Sequence, residues 1–161
     1  MVNVIKFVFC LFLFLSITSC KKKEAFKKIE NTWEKIILEN GNQEIIIFNE
    51  TDTASFKKMY FEKVSLKNGV VNYKLKNVEN KRFKLNKKER DSIHKLVYEI
   101  ITKPTFTDKS ATCFAGNIRI SLKDRHTTLT CSYNSVGIWS DVSENTNRLY
   151  NLLKTKIEIS K

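Results

Sequence analysis

The sequence predicts an α+β domain, an antiparallel sheet built from hairpins with two helices packed on one face. Three observations predict it. Two Asn-Gly pairs, Asn40-Gly41 and Asn68-Gly69, each sit between strand-like runs, and Asn-Gly flanked by alternating apolar residues is the strongest short hairpin signal. Two further segments open on a helix-capping residue and continue with apolar residues at helical spacing. The resulting order is strands, helix, two strands, helix, which argues a sheet layered against helices.

The first hairpin joins "TWEKIILE" to "NQEIIIFN". Its faces are mixed, because Ile36 and Leu38 accompany Glu34 and Gln43. The second joins "KMYFEKVSLK" to "VVNYKLKNV". A two-residue loop there sets Leu66 opposite Val71, Val64 opposite Tyr73 and Glu62 opposite Leu75, so one face is almost wholly apolar. The other face then carries Lys63 opposite Lys74 and Ser65 opposite Asn72. A short extended stretch, "KRFKL", leads into the first helix. Asn86 with Glu89 three residues on forms a capping box. Ile93, Leu96, Val97, Ile100 and Ile101 then make a continuous apolar stripe, and Lys103-Pro104 ends it. In "NIRISLKDRHTTLTCSY", a turn at Asp124-Arg125 sets Leu122 opposite Thr127, Ile120 opposite Leu129 and Ile118 opposite Cys131. Ser143 caps a last helix in which Leu149, Leu152, Leu153 and Ile157 face inward.

The 161 residues suit one domain with a modest core, and the scarcity of Gly (4) and Pro (1) leaves no long flexible linker. The amino terminus differs in character from the rest. Lys6 is the one charged side chain in the first 19 residues, and Phe7 to Ile17 forms an apolar run of eleven. That is shorter than the roughly 20 residues a spanning helix needs and fits the h-region of a signal peptide. The run closes on Ile17-Thr18-Ser19-Cys20, followed by Lys21, Lys22 and Lys23.

A branched aliphatic, two small residues and a cysteine in this position resemble the lipobox of bacterial lipoproteins. The resemblance implies cleavage before Cys20, acylation of its thiol and new amine, and attachment to a membrane of the cell envelope. The chemistry is coherent, since a thiolate is the strong nucleophile available for alkylation and stable anchoring takes more than one acyl chain. Lys21, rather than Asp, after the cysteine resembles lipoproteins sent on to the outer membrane in Gram-negative bacteria. The opposing reading is an uncleaved anchor helix with the three lysines held in the cytoplasm. On the lipoprotein reading the chain divides into a signal peptide, 1–19, a lipidated cysteine with a charged tether, 20–31, and the folded domain, 32–161.

Cys113 and Cys131 remain as thiols of the folded domain. Outside the cytoplasm such a pair tends to bridge, and closing a loop of this length contributes about 3 kcal/mol. The expected register sets Cys113 five residues before the partner of Cys131, so a bridge requires the chain to turn back near Ala115-Gly116. The alternative is Cys131 as a small core residue and Cys113 as a free thiol.

Catalytic chemistry finds little footing. His94 and His126 are the two histidines, and both are expected at the surface with no second ligand at metal spacing. No serine elbow, phosphate loop or calcium loop is present, and the five aspartates are scattered. A non-enzymatic protein without cofactor or metal is expected. Charge says more. The formal net is +12. Between Lys57 and Lys95 thirteen Lys or Arg face four acidic residues. Lys63, Lys74 and Lys76 mark a surface for an anionic lipid or an acidic protein, against the plainer reading of a solvated lysine face. Export leaves nucleic acid out of consideration. The segment "YNSVGIWSDVSEN" adds Tyr133 and Trp139, either as aromatic anchors of an interface or, as favoured for Trp139, folded under the core. Two functions are compatible with these features. One is a lipid-anchored envelope module that binds a partner. The other is an immunity- or inhibitor-type lipoprotein that blocks a toxin or envelope hydrolase, a role for which the basic charge is less suited.

Overall fold

A computed structural model describes residues 32–67, 70–104 and 116–161. Cys20, the 20–31 tether, the Asn68-Gly69 turn, Cys113 and Ala115 therefore lie outside the described residues. Residues Trp33–Lys161 form one unit. Its six strands among the described residues are β1 (Lys35–Asn40), β2 (Gln43–Phe48), β3 (Thr53–Lys67), β4 (Val70–Lys84), β5 (Asn117–Lys123) and β6 (Thr128–Asn134). Two helices, α1 (Lys87–Thr102) and α2 (Glu144–Lys154), follow β4 and β6. The strands make a single antiparallel sheet in the order β4-β3-β2-β1-β5-β6.

Alternation decides what is buried. Ile36 and Leu38 of β1, Ile45 and Ile47 of β2, Ala54 and Phe56 of β3, and Ile118, Ile120 and Leu122 of β5 are all buried at every second position. Each of the buried Ile, Leu and Phe side chains contributes roughly 1.5–3 kcal/mol. α1 lies against α2 and against β5 and β6. Among the described residues no helix is long and apolar enough to cross a membrane.

The helix starts match the sequence closely. Asn86 Oδ1 accepts from the Glu89 N–H at 3.0 Å, and Glu89 Oε2 accepts from the Asn86 N–H at 2.8 Å. Ser143 caps α2, and Thr146 completes the reciprocal pair. The inward stripe of α1 takes His94 in place of Ile101, which is half-buried. In α2 the buried set is Thr146, Leu149, Tyr150 and Leu153, with Leu152 only half-buried.

Three registers differ from expectation. The first turn is centred on Gly41-Asn42, because Asn40 pairs with Gln43. Gly41 has φ +55°, the positive value a glycine-first two-residue turn requires. Gln43 belongs to the core side of β2 because its Oε1 accepts from the Ser160 N–H at 2.8 Å. In the last hairpin Leu122 pairs with Leu129, Ile120 with Cys131 and Ile118 with Tyr133. Its loop is therefore the four residues 124–127, closed by the Asp124 N–H donating to the Thr127 carbonyl. In the second hairpin Leu66 pairs with Val71 as expected, but irregularities near Val64 and Lys76 shift the pairing farther from the turn. "KRFKL" is continuous with β4 through Lys84.

The carboxy-terminal tail locks the domain. Ile157 and Ile159 are buried, and the Ser160 carbonyl accepts from Trp139 Nε1 at 2.9 Å and from Asn40 Nδ2 at 3.1 Å. Trp139→Phe keeps an aromatic ring but removes that donor, so urea unfolding should show a loss of about 1–3 kcal/mol. Glu89 supplies a pH test. Hydrogen bonding from Lys156 Nζ, at 2.8 Å, and then from the Asn86 backbone holds its carboxyl below the usual glutamate range. A depressed carboxyl contributes stability above its unfolded value, about pH 4.3, and that contribution is lost as pH falls through the lowered value. Glu89→Gln should therefore lose up to about 1 kcal/mol at neutral pH, and the gap from the parent should close on acidification.

Candidate functional site

β3 and β4 are each 15 residues long, whereas β2 pairs with β3 only from Ala54 to Lys58. The last tie is at Met59, whose N–H donates to the Asn42 carbonyl at 2.8 Å and whose carbonyl accepts from Asn42 Nδ2 at 2.5 Å. Among the described residues, from Tyr60 to Lys67 and from Val70 to Asn77 the two strands pair only with each other. They project as a two-stranded ribbon. Among the described residues no second layer covers this ribbon, and the exposure of its side chains shows this. Eight large apolar residues are exposed among the described residues, and six of them lie here: Tyr60, Phe61, Val64, Val70, Tyr73 and Leu75.

The cross-strand pairs define the faces. Phe61 is opposite Leu75, Lys63 opposite Tyr73 and Leu66 opposite Val71. Alternation sets Phe61, Leu75, Lys63 and Tyr73 on one side, while Glu62–Lys74 and Ser65–Asn72 occupy the other. The expected Lys63–Lys74 opposition does not occur. An extra residue at Val64 shifts the register by one, so Lys74 faces Glu62 and Lys63 faces Tyr73. Like charges directly opposite cost stability and opposite charges favour pairing, so the bulge relieves a repulsion and gains an attraction. Lys76 Nζ lies 3.9 Å from Glu62 Oε2, on two well-exposed side chains. Four lysines (63, 67, 74 and 76) stand against this one carboxylate in the ribbon.

At the root of the ribbon the charges are tied together. Tyr60 Oη donates to Glu79 Oε2 at 2.8 Å, Lys81 Nζ reaches Glu79 Oε1 at 2.5 Å, and Lys58 Nζ lies 5.3 Å from the Tyr60 ring centre. The hydrogen bond from Lys81, followed by that from Tyr60, holds the Glu79 carboxyl below its usual range. The same contact raises Lys81.

The remaining candidates are placed elsewhere. Tyr133 is buried on β6, and Trp139 is buried in a short 3-10 turn, 5.6 Å from the Tyr150 ring and nearly perpendicular to it. Neither is an exposed anchor; of that segment Ile138 is exposed. His94 is buried rather than superficial, stacked on Trp33 with ring centres 5.2 Å apart and planes 7° from parallel. His126 is exposed in the β5–β6 loop. Cys131 is half-buried with no disulfide partner among the described residues. No group of His, Cys, Asp or Glu that could hold a metal occurs among those residues. A shallow polar cleft of about 270 Å³ lies beside Glu39, Asn117, Arg119 and Ser132, where Arg119 Nη1 is 3.5 Å from Glu39 Oε2.

Compared with family models, characterised proteins and solved structures, the chain matches none. The ribbon's apolar side chains carry little of the fold. The combined F61S/Y73S/L75S variant should lose about 1 kcal/mol or less, whereas Phe56→Ser, at a side chain 2% exposed, should unfold the domain. Thermal melts of the two variants check this contrast.

Proposed function

We propose that this protein is a small lipoprotein of the cell envelope, tethered through acylated Cys20, whose folded domain works by contact rather than by catalysis. The observation that carries the reading is the β3–β4 ribbon, where apolar side chains that stabilise nothing beneath them are held out beside lysines. Exposed apolar residues gathered in one place mark interaction surfaces. We also infer that both helices cover the sheet face carrying Ile36, Leu38, Ile45, Ile47 and Ile120. The alternating burial of these side chains supports it, as do the contacts of α1 with α2, β5 and β6. The opposite face carries Lys35, Glu39, Glu44, Lys57 and Arg119, with Glu39 and Arg119 paired across the strands. The charged positions suit contact with water, and between them the half-buried Ile37 and Ile46 pair across β1 and β2.

The tether reading is supported by the apolar run ending at Cys20 and by the three lysines after it. In a Gram-negative host the outer membrane is its expected destination. The same ribbon supports a second reading, an immunity- or inhibitor-type lipoprotein, since a two-stranded ribbon is narrow enough to enter an enzyme cleft. That reading requires stoichiometric binding to one enzyme with loss of its activity.

The native mass tests the tether. It should correspond to a chain starting at Cys20 with three acyl groups added. Cys20→Ala should leave the chain uncleaved and unacylated. A parent product that begins at Met1 without acyl groups would overturn the reading.

A further inference from the structure

We propose that the β3–β4 ribbon is a lipid-contact element, bedding its apolar face into the interface of a bilayer that carries anionic headgroups. The proposal deepens the contact-module reading and rests on it. Phe61, Tyr73 and Leu75 share one face and are 50, 66 and 47% exposed. Aromatic and aliphatic side chains interleaved with lysines are what the bilayer interface accommodates. Rings sit at headgroup depth, while lysine stems lie along the apolar surface and carry the ammonium to the phosphates. Lys63 is on this same face, opposite Tyr73. Lys74, on the opposite face, and Lys76 lie near the ribbon's single carboxylate, Glu62; counting Lys63 and Lys67 as well, the ribbon keeps an excess of three positive charges. A negatively charged membrane surface complements that excess.

Area separates this occupant from a folded protein. Eight residues per strand at ~3.3 Å per residue reach about 26 Å, and two strands with their side chains are ~10 Å across. One face therefore offers on the order of 300 Å², against about 800 Å² per partner in a standard protein interface. A bilayer surface imposes no such minimum. A second copy of the chain is disfavoured because two equally basic ribbons would meet. Depth is limited too. Among the described residues the outer edge of β4 pairs with no strand, and unpaired backbone groups cannot enter hydrocarbon. The ribbon thus lies in the wet interface and does not cross it.

The full chain carrying Tyr73→Trp, reconstituted into vesicles, tests this, with Phe61→Trp as an independent second reporter. Trp33 and Trp139 are both buried, so the parent supplies the background emission. In vesicles of phosphatidylglycerol and phosphatidylcholine with brominated acyl chains, the introduced indole should be quenched and its emission shifted to the blue. In phosphatidylcholine alone both changes should be lost, as they should with K63E/K74E/K76E in the mixed vesicles. No quenching of either reporter overturns the proposal. Equal quenching in both vesicle types also overturns it, because charge would then play no part. A blue shift produced by soluble polyglutamate with no vesicle quenching would assign the ribbon to an acidic protein instead. Flotation of parent and Cys20→Ala chains reads the tether separately, so loss of anchoring and loss of ribbon insertion are distinguishable.

Discussion

The mismatch between two 15-residue strands and their six-residue neighbour governs this molecule. A strand buries side chains only where another layer covers it, and β2 accompanies β3 no further than Lys58. Below that point Ala54 and Phe56 are core residues; beyond it the same strand carries Phe61 and Val64 into solvent. Sequence composition hardly changes along β3, yet the role of an apolar residue reverses within a few positions. The basic charge acquires meaning from the same mismatch. Lysines at the end of an unaccompanied strand keep a long open edge from pairing with other chains, and they stand beside apolar groups that need a partner.

Local signals were the legible part of the sequence. The capping residues Asn86 and Ser143 fixed both helix starts, because a cap is a short-range bond between neighbours. The Leu66–Val71 pair and the sheet class emerged from alternation about a two-residue loop. The illegible features depended on distant partners. His94 looks like a flank residue of α1 by spacing alone, but Trp33, far away in sequence, supplies a ring to stack on. Gln43 looks misplaced among isoleucines until Ser160 supplies its backbone N–H. The bulge at Val64 was missed for a different reason. Counting outward from a turn assumes an unbroken ladder, although the implied Lys63–Lys74 opposition signalled that the ladder breaks. In the candidate site, the lysines and the hairpin were legible and the projection was not, since strand length beyond a neighbour depends on where that neighbour stops.

The last residues of the chain show how a small domain seals itself. Trp139 and Asn40 both donate to the carbonyl of Ser160, while Ile157 and Ile159 fill the space beneath. Trp139, favoured by the sequence as a residue folded under the core, is thereby an internal strut. Gly116 serves the other end of the same region. Its carbonyl accepts from the Val136 N–H, and a Cβ there would collide with the Val136 carbonyl oxygen, so the two segments approach as closely as backbones can.

Strand order also dictates how the chain must assemble. β1 through β4 pair with sequence neighbours, but β1 finds its second partner, β5, roughly eighty residues later. Contacts so far apart along the chain form slowly, because loop closure has to precede them. Until β5–β6 arrives, the meander exposes the inner edge of β1, with Ile36 and Leu38 uncovered. The β1–β5 pairing is therefore the longest-range connection on which closure of this sheet depends.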